Sequence, residues 1–170
     1  VNAISKIAVN THLAGAAGTV TGAAITRLLG GKTDIVMMLN GALAGLVAIT
    51  AEPLTPGPIT AMIIGSIGAV IMYFGTKMLE GFGIDDVVGA IPVHMFAGIF
   101  GTLVVPFTNA DTSLGTQFVG TLSVVLFSFV LSYLVFMAMK VTIGLRISKA
   151  AEKLGTDKAE VGVIAYSIRD

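Results

Sequence analysis

The 170 residues are 55% hydrophobic and only 12% charged, with a mean hydropathy of +0.93, where soluble domains carry about 25% charged residues. Ten basic and ten acidic side chains cancel to zero net charge, which argues against a nucleic-acid partner, and the lack of cysteine excludes disulfides and thiolate metal sites. The expected class is an all-α integral membrane protein, with room for about five helices of 20 residues plus loops and a tail.

No basic leader with a cleavage site opens the chain, which starts at Val1 without a methionine; a fragment of a longer protein, or one with its beginning removed, is expected. The first predicted helix runs from about Ala3 to Leu29 and is rich in Ala, Gly and Thr. Gly18 and Gly22 have the small-xxx-small spacing that lets helices approach closely, so this helix belongs inside a bundle. Asn10 and His12 are its polar residues, read as interhelical hydrogen-bonding groups or as interface neighbours.

Thr33 and Asp34 supply an N-cap for a second helix, Ile35 to about Ala51, threaded by Gly41 and Gly45, with Asn40 as a polar link to a neighbour. The run Glu52 to Pro58 holds three prolines and forms a loop. A third helix starts with Pro58 at its first position and ends near Leu79.

The fourth segment, Asp85 to Phe107, is apolar yet carries two carboxylates at one end and His94 in its middle. If Asp86 caps it, His94 lies roughly 12 Å in at the α-helical rise, near the midplane of a hydrocarbon core about 30 Å thick. Ala90, Gly98 and Gly101 are expected on the side of His94, with Phe96, Phe100, Leu103 and Phe107 on another stripe, so the imidazole should face a packed interior. Pro92 is expected to remove a helical hydrogen bond and kink the helix there. A titratable group at that depth marks a pathway or proton relay; Asp85 and Asp86 read more simply as caps at the positive end of the helix dipole.

The fifth helix, about Gln117 to Met139, is the most continuously apolar and is expected to face lipid. Residues 1–147 thus form a membrane region and 148–170 a polar tail, with a weakly amphipathic stretch at Ser148 to Leu154. With five alternating spans, nine of the ten basic residues (Arg27, Lys32, Lys77, Lys140, Arg146, Lys149, Lys153, Lys158 and Arg169) fall on one side. The positive-inside rule makes that side, and the C-terminus, cytoplasmic.

Several of these stretches together resemble the ammonium transporter family, which includes the Rhesus glycoproteins. AVNTHLAGAAG at Ala8 to Gly18, LNGALAGLVAITA at Leu39 to Ala51, IIGSIGAV at Ile63 to Val70, IDDVVGAIPVHMFAGIFGTL at Ile84 to Leu103 and VTIGLRIS at Val141 to Ser148 are similar to five family motifs in the family order. The resemblance implies spans seven to eleven of an eleven-span inverted-repeat fold. It also implies that His94 is one of two pore histidines, the other upstream of Val1, that ammonium or ammonia is carried, that the protein is a homotrimer, and that a PII-type protein regulates it. Val87 replaces a proline after the Asp pair, Pro92 and Met95 replace small residues beside the histidine, and Val161 and Val163 replace a histidine and a glutamate in the tail motif GTDKAEVGVIAY.

No phosphate-binding glycine loop, activated nucleophile or metal cluster can be read from the chain, so neither an enzyme nor a cofactor is expected. Two other readings remain: a membrane sensor of ammonium signalling through its tail, and an electron-transfer protein with His12 and His94 on haem.

Overall fold

The computed structural model describes residues 2–165; Tyr166 of the tail motif and Arg169 lie outside the described residues. The elements are α1 (Asn2–Gly30), α2 (Ile35–Thr50), α3 (Pro58–Gly81), a π-helical turn (Ile91–Phe96), α4 (Ala97–Val104), a 3-10 turn (Val105–Phe107), α5 (Leu114–Thr142), α6 (Lys149–Leu154) and a second π turn (Asp157–Val161). All regular structure among the described residues is helical. The chain divides into two compact units, residues up to Val124 and residues from Val125 on.

In the first unit α1, α2 and α3 pack on one another, and the segment 91–104 lies on α2 and α3. The expected helix starts are met through local chemistry. Asp34 caps α2 by accepting from the Met37 amide at 3.1 Å, and Pro58 opens α3, where its missing N–H costs nothing. What holds the helices together is the scarcity of side chains between them. A Cβ on Gly18 would overlap the Gly41 carbonyl, and one on Gly65 the Ala14 backbone. The main chains are therefore in direct contact, as close packing by small residues requires.

Two small apolar cores result. One joins Ala14, Ala48, Ile49, Ala61 and Ile64, with Phe100 and Val104 against it; the other joins Ala44, Met72, Val93 and Ala97, with Met37, Val47 and Tyr73 around it.

One end of this unit is tied by side chains. Asn10, fully buried, donates from Nδ2 to the Pro53 and Pro56 carbonyls at 2.8 and 2.9 Å. Glu52 accepts the Leu54 and Thr55 amides on Oε1 and the Asn109 amide group on Oε2, so the loop after α2 is fastened both to α1 and to the turn after the 3-10 helix. Burial pushes the Glu52 carboxyl up, but the hydrogen bonds from Asn109, Thr55 and Leu54 outweigh it and hold the group below its ordinary range.

Two helices, α3 and α5, are long and apolar enough to cross a membrane. Of the other three expected spans, α1 has the length, but its Ala, Gly and Thr lower its hydropathy. Helix α2 has 16 residues, and the fourth segment is divided among three helical forms. Helix α5 buries none of its side chains. In the second unit Ser148 caps α6 through the Ala151 amide at 3.1 Å, and the Arg146 guanidinium meets the Glu152 carboxylate at 3.0 Å. The exposed Asp157 carboxyl is held below its usual range by the Ala165 amide.

Candidate functional site

The segment carrying His94 starts later than its composition predicts. Residues 87 and 88 form a turn, Gly89 has φ +72°, and helix begins at Ala90. Asp86 still caps it, but from across that turn: Oδ1 accepts the Ala90 amide at 2.9 Å and Oδ2 the Ile91 amide at 2.8 Å. Two of the orphan amides of the first helical turn are thereby satisfied by one carboxylate. His94 accordingly lies about 6 Å along the helix, half the depth expected from a start at Asp86.

Pro92 also acts differently from expectation. Because the helix starts at Ala90, the proline falls in its first turn, where no intrahelical partner is lost. The irregularity takes another form, a π turn over Ile91–Phe96, in which the Ala97 amide reaches back to the Pro92 carbonyl. Such turns are rare, and they gather at functional sites.

His94 lies on a face that the helices of this chain leave uncovered. Pro92, Val93, Ala97 and Gly101 are buried, whereas Ala90, His94 and Met95 are exposed and Gly98 is half-buried. Val93, Ala97 and Gly101 follow one another at four-residue intervals and form the stripe that sits on α2. Gly101 is in contact with the Ala48 backbone, and a Cβ on Gly98 would come 3.5 Å from Val47 Cγ1. Gly101 thus belongs to the Val93 stripe and not to the histidine's. The imidazole is one residue off the seated face, about 100° round the helix, and within this chain it is not enclosed. Phe96 lies over Gly75 and Phe100 joins the first core, while Phe107 is 78% exposed.

Asp85 and Asp86 line a cleft of about 190 Å³ with Thr76, Leu79, Glu80, Ile84 and Pro92; His94 is not among its walls. His12 is exposed and bonds its own helix, with Nδ1 2.7 Å from the Ala8 carbonyl; of the two readings, an interhelical bond or a place near the interface, the first is not made. Asn40 links α2 to a neighbouring segment, but its partner, the Val88 carbonyl at 2.9 Å, lies in the turn that precedes the histidine helix and not in a helix as anticipated. The pairing of residues 40 and 88 has no local signal. Gly89 alone hinted at the turn, since a glycine after two valines invites a break.

A model of the Ammonium Transporter Family matches residues 1–166. Ammonium transporter Amt2 of Archaeoglobus fulgidus is 40% identical over 184 residues, covering 96% of this chain and 39% of that protein. A putative ammonium transporter of Synechocystis sp. is 37% identical, covering 95% and 37%. Among solved structures, one titled Sensor Amt Protein superposes with a TM-score of 0.86 at 30% identity, over 92% of this chain and 42% of that one. The Candida albicans Mep2 structure gives 0.78 at 27% identity, over 92% and 39%. The chain thus spans about two fifths of the length of these relatives.

Proposed function

We propose, from the premise that this chain belongs to the ammonium transporter family, that it forms part of a membrane pore for ammonium or ammonia in which His94 is the proton-handling group. The observation that carries the reading is the state of that side chain. An imidazole stands exposed on an otherwise apolar, buried-stripe helix, on a face that this chain's own helices do not cover. In a bilayer such a group is tolerated where protein or water meets it, which fits a route between helices.

The chemistry follows from desolvation. Taking a bare ammonium ion into a low-dielectric passage costs on the order of 20 kcal/mol by Born reckoning, and neutral ammonia avoids that cost. An imidazole accepts a proton on one ring nitrogen and releases one from the other, so His94, paired with the second histidine that the resemblance implies, would strip the ion and carry its proton. Ala90 would line the route beside it. Gly98 and Gly101 would let the helix lie close on α2, and Asp85 and Asp86 would mark the cytoplasmic end. Residues 1–147 would be the membrane region and 148–170 a cytoplasmic tail, with homotrimer assembly and a PII-type regulator as further expectations.

The test is His94→Ala in the full-length protein, reconstituted in liposomes and read by ammonium-evoked current. Loss of the current, or of its selectivity against potassium, is expected; an undiminished, selective current would end the proposal. One solved relative is titled a sensor, which keeps the sensor reading in view. It would be favoured by saturable ammonium binding in liposomes that carry no current.

A further inference from the structure

Helix α2 touches the chain before and after His94, and the two contacts differ in kind. After it, Ala44 and Ala48 receive Val93, Ala97 and Gly101 by apolar and backbone contact. Before it, Asn40, 9% exposed, donates its amide to the Val88 carbonyl. Asn40 and Ala44 are one helical turn apart, so both contacts come from one face of a rigid element.

Between them the chain departs from the regular α-helical pattern. The turn 86–89 closes with the Gly89 amide on the Asp86 carbonyl at 3.1 Å. Gly89 is buried at φ +72°, and a Cβ there would come 2.8 Å from Asn40 Nδ2. The turn places Asp86, whose two oxygens then hold the Ala90 and Ile91 amides. Residues 91–96 bridge the interval as a π turn. A π turn is rare and occurs mostly as a single turn at functional sites, and this one is held at both ends, by Asp86 before it and by the Gly101 contact with Ala48 after it. His94 is in its middle.

We propose that Asn40 is a positioning residue for His94. Its hydrogen bond to Val88 fixes the register of the turn 86–89, and with it the π turn that sets the direction of the imidazole. If that bond is lost, the segment can relax to the α ladder, one residue out of register, which turns His94 by about 100° relative to the seated stripe. No other side-chain hydrogen bond among the described residues links α2 to this turn. The functional consequence rests on the reading of His94 as the proton-handling group; the geometric one does not.

The experiment uses the full-length protein with a single reporter thiol, since this chain has no cysteine of its own and any elsewhere can be replaced. His94→Cys reports the site and Phe107→Cys, beyond the Gly101 contact, serves as the comparison. Each is combined with Asn40→Asp, which puts an acceptor against the Val88 carbonyl, or with Gly89→Ala, whose methyl would crowd Asn40 Nδ2 and disturb the same contact from the side of the turn. The expected result is a several-fold change in the rate of modification by a methanethiosulfonate reagent at position 94 in either background, and an unchanged rate at 107. An unchanged rate at 94 in both backgrounds, or an equal change at 107, overturns the assignment. With His94 intact, Asn40→Asp should lower the ammonium-evoked current about 10- to 100-fold, the scale of loss when a working group is displaced by an ångström. Should His94→Ala conduct normally, the transport role of the histidine fails, and the thiol rates still decide the role of Asn40.

Discussion

Gly18→Ala isolates the forces that hold α1 to α2. The new methyl would overlap the Gly41 carbonyl oxygen, with the Gly41 carbonyl carbon at 3.1 Å and the Gly45 Cα at 3.2 Å. All three are backbone atoms of a helix, so none can move aside as the end of a flexible side chain would. Overpacking of this kind costs about 1–3 kcal/mol, while replacing a mid-helix glycine by alanine returns about 0.5–1 kcal/mol of helix propensity. The net expectation is a loss of up to about 2.5 kcal/mol, toward the upper end because all the atoms met are backbone. Two sister variants separate the terms. At Gly15 the methyl would meet Leu46 Cδ2 at 2.9 Å, a side-chain end that can rotate, so overpacking and propensity should nearly cancel. At Gly120 nothing lies within 4 Å, so only the propensity gain remains. Denaturation of the full-length protein in detergent, followed by helical circular dichroism, should rank Gly120→Ala above Gly15→Ala and both above Gly18→Ala. A Gly18→Ala protein as stable as the parent would show that the close approach contributes no specificity, and the packing argument would fall with it.

The remaining predictions concern the two polar fastenings. The Glu52 carboxyl is held below its ordinary value by Asn109, Thr55 and Leu54 against the opposing pull of burial. The unfolded chain therefore binds the proton more readily, and the stabilisation is present above the unfolded value and lost as pH falls through the lower, folded one. Amide exchange at Leu54 and Thr55, corrected for intrinsic rates, should accelerate on acidification in the parent protein and lose that dependence in Glu52→Gln; equal profiles would refute the fastening. Asp86→Ala removes the acceptors of the Ala90 and Ile91 amides and should cost about 1–2 kcal/mol, the upper range for a helix cap, in the same denaturation assay. No loss there would mean that water serves those amides equally well.

What could be read in the residues before the structure follows the range of the interactions. Asp34 as a cap and Pro58 as a first helical residue act over three positions or fewer, and α2 and α3 begin where they predict. The glycines of α1 and α2 announced a close contact, and the contact exists. The fourth segment misled because its start is decided by groups far apart in sequence: Asn40 and Val88 are 48 positions apart, and no periodicity records such a bond. Likewise Glu52 and Asn109, 57 apart, read separately as loop residues.

The division of faces around His94 has the same origin. A uniform helix with 3.6 residues per turn puts His94 with Gly98 and Gly101, whereas the π turn over Ile91–Phe96 shifts the angular count and Val93, Ala97 and Gly101 are seated instead. The exposed face then holds Ala90, His94 and Met95, a titratable group between apolar ones. A purely structural histidine would satisfy a ring nitrogen within its own bundle, as His12 does with Ala8. His94 stands on a helix whose start takes a carboxylate, a left-handed glycine and an amide from another helix to define. A π turn held at both ends is of the kind that gathers at functional sites, which supports the view that the direction of this one side chain is what the segment is built to hold.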